Sequence, residues 1–302
     1  MSLFSLLGAL EIGLIFSLVA LGVLISFRIL NFPDLTVDGS FPMGGAVAAT
    51  LIAGGHDPFM STFCGMLAGA AAGFITGWLN VRLKIMDLLA SILMMIALYS
   101  VNLRIMGKPN VPLISEPTVF SLLQPEWMPD YVFRPVLLGV VVVIVKLLVD
   151  WFFSTQVGLS LRATGANPRM ARAQGVATGA ATLAGMALSN ALVALAGALY
   201  AQTQGGADVS MGIGTIVIGL AAVIIGETVL PARRLVLTTL AVVIGAILYR
   251  FFIALALNSD FIGLQAQDLN MVTAALVVIA LVLPGVRRKV FGRLAKTATK
   301  GN

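Results

Sequence analysis

Two polar segments interrupt an otherwise apolar chain, and they hold the residues best suited to chemistry. The first is Asn31-Phe-Pro-Asp-Leu-Thr-Val-Asp-Gly-Ser-Phe-Pro-Met-Gly-Gly45, which sets Asp34 and Asp38 four residues apart among Thr36 and Ser40. Its two prolines and three glycines exclude an uninterrupted helix. Broken backbone between apolar flanks is tolerated at membrane depth only where protein buries it or water lines it. Discontinuous helices of this kind mark substrate pathways in transporters. Asp34, Thr36, Asp38 and Ser40 are therefore candidate pathway residues. The competing reading is a capping role, in which these side chains cap the half-helix that follows.

The second segment, Gly158-Leu-Ser-Leu-Arg-Ala-Thr-Gly-Ala-Asn-Pro-Arg-Met-Ala-Arg-Ala-Gln-Gly175, carries Arg162, Arg169 and Arg172 and no acid. Asn167-Pro168 is a helix start, with Asn as N-cap and Pro in the first turn. Gly175 closes the one or two turns that follow. A preformed basic helix between membrane spans is suited to being gripped in the cytoplasm. The plainer alternative is that these arginines only fix orientation.

Catalytic signatures are absent. No GxxxxGK[ST] loop is present, so the chain is no ATPase by that route, and GxSxG, HExxH and CxxC are missing too. Acids within the apolar runs are too scattered for an intramembrane protease. The lone Cys64 and the lone His56, in a turn-rich connector, suggest neither a disulfide nor a metal site. The net charge of +6 follows the membrane rather than nucleic acid.

These segments must be positioned by spans. The chain is 59% hydrophobic and 11% charged, with a mean hydropathy of +1.01. Nine apolar runs, at 4–27, 41–54, 59–80, 85–106, 135–153, 180–202, 211–230, 235–257 and 268–284, approach or exceed the roughly 20 residues that cross a bilayer core. The second is short, so the expectation is an all-α polytopic bundle of about 8–9 spans forming one transmembrane domain over residues 1–302. With the N-terminus outside, 14 of the 19 basic residues fall on cytoplasmic connectors and a basic tail at 286–302. The outer side receives the Pro-rich loop 107–134, expected to be stiff rather than helical, with Trp127 and Tyr131 at the headgroups. Glycines 65, 69, 73 and 77 recur every four residues, a face for close backbone approach in a bundle or a dimer.

Three further features stand out. Asp208-Val-Ser-Met repeats the order of Asp34-Leu-Thr-Val on the opposite side of the membrane, as inverted repeats require. Glu227 is expected in an inner-face ion pair, with Arg233 and Arg234 close by in sequence. Glu11, inside the first run, faces a partner, a water-filled gap or the nearer surface.

Taken together, Leu161–Val176, Asp34–Ser40 and the Gly-Leu-Ala-Ala-Val-Ile-Ile-Gly-Glu227 run resemble the membrane permease of bacterial ABC importers in the branched-chain amino acid and ribose permease superfamily. The likeness covers most of residues 5–285 and is nearest the subgroup that takes up amino acids, aromatic ones included. It implies a dimer, most simply of identical chains, in the inner or plasma membrane with a cytoplasmic C-terminus. A separate cytoplasmic ATPase would carry ATP and Mg and grip a coupling segment over 158–176, through Arg162, Gly165, Asn167, Pro168, Arg169 and Arg172. A periplasmic or lipoprotein solute-binding protein would dock outside, near Asp208 and Glu116. This chain would bind no cofactor. Asp34 and Asp38 make the break more acidic than in branched-chain members, which leaves the substrate open. A secondary, ion-coupled transporter remains the alternative; it would need no docking helix.

Overall fold

The computed structural model describes residues 3–126, 128–231 and 234–257, with 275 and 278 as isolated helical positions. Apart from those two positions the ninth apolar run, together with the basic tail, Trp127 and Arg233, lies outside the described residues. Helix α1 (Leu3–Val23) continues as a π-helical stretch over Leu24–Ile29, and α2 (Val37–Ala53) follows the break. Then come α3 (Pro58–Leu83), α4 (Asp87–Met106), strand β1 (Asn110–Pro112), α5 (Val119–Leu123) and α6 (Asp130–Ser154). The chain goes on through α7 (Gln156–Ala166), α8 (Pro168–Ala173), α9 (Thr178–Thr203), β2 (Gly206–Asp208), α10 (Thr215–Val229) and α11 (Leu235–Leu257). The described chain is an all-α polytopic membrane protein. Six of its helices are long and apolar enough to cross a bilayer, and α2 and α10 are shorter apolar helices.

The centre is α1 and α9, whose apolar windows are 78% and 67% buried, against 22% for α4 and α6. Packing repeats itself around this centre. Helix α9 lies on α3 as α1 lies on α11, while α2 wedges against α3 and α9 as α10 does against α11 and α1.

The connectors sort by charge into two ends. At one end Arg28 pairs with Glu227, Gly165 meets Ile29, and Gly179 approaches Val81, so the arginines of the α1, α3 and α7–α8 connectors gather there. At the other end β1 pairs antiparallel with β2, Val111 opposite Ala207, and Ile52 of α2 packs beneath them. Asp57, Glu116, Asp130 and Asp208 belong to that acidic end. Glu227 does form its expected ion pair, but its observed partner is Arg28, at 2.7 Å, on another helix.

One local expectation changes. The Pro-rich loop is not free of regular structure: besides β1 it contains α5, started by a reciprocal Thr118–Ser121 capping box. Gln202 of α9 accepts from Val119 N at 2.9 Å, and so helps tie that helix to the bundle. Ahead of the capped segment, α7 is a regular helix, with Gly158, Leu161 and Thr164 buried on one face.

The glycine stripe of α3 serves packing within the chain. A Cβ at Gly65 would lie 2.7 Å from the Gly44 carbonyl oxygen, and at Gly69 2.6 Å from that of Asn190. At Gly73 it would strike the Met186 carbonyl. Gly73→Ala is therefore expected to lower the unfolding temperature of the detergent-solubilised protein, by an overpacking cost of about 1–3 kcal/mol. Gly8→Ala, where an added Cβ meets nothing within 4 Å, should leave it unchanged. A thermal scan of the two variants checks this.

Candidate functional site

The break between α1 and α2 is built around one carboxylate. Asn31, in the left-handed region at φ 56°, turns the chain out of the π-helical stretch; Asn tolerates that conformation better than most residues. Asp34 is fully buried. Its Oδ1 accepts from Thr36 N at 2.9 Å and its Oδ2 from Asn190 Nδ2 at 2.7 Å. Asn190 in turn accepts from Ser40 Oγ at 2.7 Å, and Thr36 and Thr76 share a hydroxyl contact at 2.9 Å. Three elements thus converge on Asp34 through neutral dipoles, and among the described residues no cation pairs with it.

Asp38 works elsewhere. Helix α2 begins at Thr36 without a side-chain cap. The Asp38 carboxylate instead accepts from Gly214 N at 3.2 Å and Ile216 N at 2.8 Å, the free N–H groups at the start of α10. This corrects the capping expectation: the acid caps the other short helix, where the helix dipole also favours it. The second break mirrors the first locally, since Asp208 Oδ1 accepts from Ser210 N at 2.7 Å just as Asp34 accepts from Thr36 N. Hydrogen bonds from Ser210 hold the Asp208 carboxyl below its usual range. Asp208 and Glu116 share the acidic end, Asp208 opposite Asn110 in the sheet and Glu116 donating its N–H to Leu113 O.

At the basic end, Asn167 Oδ1 accepts from both Arg169 N and Met170 N at 3.1 Å, and Gly175, at φ 84°, ends the turn after α8. The N-cap reading holds. Arg162, Asn167, Pro168, Arg169 and Arg172 are exposed, with Met170 61% exposed beside them. Gly165 faces the bundle instead. A Cβ there would run into the Ile29 carbonyl and lie 2.9 Å from Leu30 Cα. The last turn of α7 therefore rests on the end of α1, immediately before the break.

Residues 5–283 match the family model for the branched-chain amino acid transport system permease component. The chain belongs to that family. It is 38% identical over 274 residues, 90% of this chain and 88% of the relative, to the tyrosine transport system permease protein of Clostridioides difficile (strain R20291). It is also 36% identical over 209 residues, 69% of this chain and 72% of the relative, to an uncharacterized protein of Rickettsia prowazekii (strain Madrid E). No solved structure matches it.

Several polar groups of the permease escaped the sequence reading. Asn190 and Thr76 are two of the few polar residues in their apolar runs, and only their partners give them meaning. Gln202, which also donates to Thr62 Oγ1 at 2.8 Å, is another. Lys146 and Asp150 on α6 had a readable signal, an oppositely charged pair one turn apart within a span. Arg250 of α11 sits over the Phe16 ring, 5.5 Å from its centroid.

Two outcomes follow from this geometry. Asn190→Leu leaves Asp34 Oδ2 and the Ser40 hydroxyl without their partners, at about 1–3 kcal/mol for each unpaired group, so a marked drop in unfolding temperature is expected. Gly165→Ala drives α7 off the end of α1. Limited trypsin digestion of the purified permease should then cut faster after Arg162, Arg169 and Arg172 than in wild type.

Proposed function

We propose that the chain is the permease subunit of an ATP-driven importer for an amino acid or related compound. The observation that carries this reading is the pairing of an exposed, capped basic helix with a buried anchor. Helix α8 presents Asn167, Arg169, Met170 and Arg172 outward, while Gly165 lies on Ile29 next to the broken helix. A separate ATPase, holding ATP and Mg, grips α8. Its closure displaces α7, and the end of α1 moves with it.

In this reading the basic end is cytoplasmic, as the excess of arginine and lysine favours. The shorter helices α2 and α10 count as spans, giving eight among the described residues and a ninth at 268–284, with a cytoplasmic tail beyond. The chain is one transmembrane domain made of inverted halves: α1, α2 and α3 correspond to α9, α10 and α11, which the repeated packing and the shared Asp–hydroxyl turn support. Two such chains line the route, and Asp34, Thr36, Asp38 and Ser40 hold the broken helix beside it. A solute-binding protein delivers substrate at the acidic end near Asp208 and Glu116. The similarity to a permease named for tyrosine transport favours an aromatic amino acid as the cargo.

Co-purification tests the reading. Tagged wild-type chain should retain the ATPase encoded beside it, and Arg169→Glu/Arg172→Glu should fold but lose it. If the charge reversal changes nothing, the arginines set topology alone and an ion-coupled mechanism takes precedence.

A further inference from the structure

Helix α6 runs into the coupling segment with only Thr155 between Ser154 and Gln156. Any displacement of α7 therefore acts on α6 before it reaches the more distant helices. Yet α6 is peripheral and much of its surface is left to lipid. Its inward side carries an ion pair, Lys146 Nζ to Asp150 Oδ2 at 2.5 Å, with the side chains only 14% and 10% exposed. One turn of helix separates the two, so the pair is complete within α6. The other carboxylate oxygen is directed at a neighbour: Thr239 Oγ1 of α11 donates to Asp150 Oδ1 at 2.7 Å. Its alternative acceptor, Val236 O in its own helix, is farther at 3.0 Å.

Charges in apolar surroundings are costly, and well-packed apolar residues would anchor a lipid-facing helix at less expense. What the charged triad adds is direction, because a hydrogen bond fixes the register of one helix against another. Beyond Thr239 the connection is stiff. A Cβ at Gly245 of α11 would lie 2.6 Å from Gly226 N of α10, and one at Gly226 would lie 2.9 Å from Val242 N. Backbones that close shift together. Helix α10 starts at the N–H groups that Asp38 caps, so this connection ends beside the broken helix.

We infer that Asp150 is a positioning residue that passes displacement of the coupling segment to the α10–α11 pair through Thr239. This rests on the ATP-driven reading above. It gives the coupling segment a second route into the bundle, separate from the Gly165–Ile29 contact.

The test uses the permease bound to its ATPase in lipid nanodiscs, with Cys64→Ala and nitroxides on one of two cysteine pairs. Gln156→Cys with Ile96→Cys reports on α7; Val236→Cys with Ile96→Cys reports on α11. Both distances should change in the wild-type background when ATP and vanadate are added. With Thr239→Val the α7 change should persist and the α11 change should vanish, and Thr239→Ser should restore it. Lys146→Met/Asp150→Asn removes both charges but keeps an oxygen facing Thr239, and should behave as wild type. Overturning results are an α11 change that survives Thr239→Val, an α11 distance that never changes, or loss of both changes in Thr239→Val. Loss of both would mark Thr239 as a packing residue and not a transmitter. If the wild-type chain retains no ATPase, the importer reading fails, and the transmission role falls with it.

Discussion

Hydrocarbon offers no hydrogen bonds, so each backbone group freed where a membrane helix breaks must find its partner inside the protein. This chain interrupts its helices at two polar segments, and the first helps satisfy the second. The first break supplies Asp38, whose carboxylate takes up two N–H groups at the start of α10. It also holds Asp34, which needs Asn190 from α9, and Asn190 in turn needs Ser40 from α2. Such a network is safest when complete, because a single missing member leaves a buried polar group unpaired. The glycines of α2, α3 and α9 follow from this demand. Asn190 reaches Asp34 only if α9 lies almost in backbone contact with its neighbours, as Gly44, Gly69 and Gly197 permit.

The same economy appears at the basic end. Helix α8 exposes its polar and charged residues while Ala171 anchors it, and α7 buries one narrow face that ends in the Gly165 contact. The contact falls where α1 has changed to π-helical geometry, a form often found at functional positions. Leu30 N bonds back to Ile25 O and Phe32 N to Ser26 O, so the helix widens before it breaks. A segment pressed against that point touches the least regular part of the core. In the proposed importer this contact moves the broken helix without exposing it to lipid.

Features legible in the sequence were those fixed over a few residues. Asn167-Pro168 with Gly175 spelled out a capped turn of helix, and the turn is there. The π-helical geometry of Leu24–Ile29 has no comparable local mark. The apolar runs located the helices, though α2 begins four residues before its run and α6 five, because hydropathy does not register the polar first turn of a helix. The Pro-rich loop misled: its prolines masked the Thr118–Ser121 box that starts α5. The capping alternative for Asp38 pointed to its own helix, the nearest choice in sequence, yet its N–H partners come from α10.

By itself, then, the sequence determined the membrane setting, the places of the main helices and breaks, the charge difference between connectors and the capped basic segment. All of these depend on composition or on neighbours within about one helical turn. Only the tertiary structure decided the partners. Asp34 and Asn190 are 156 residues apart, Asp38 and Ile216 178, Arg28 and Glu227 199. Which of them meet depends on which helix faces come together and how closely, and that is set by packing over the whole bundle. A single polar residue in an apolar run carries no mark of the face it occupies until the opposing helix is in place.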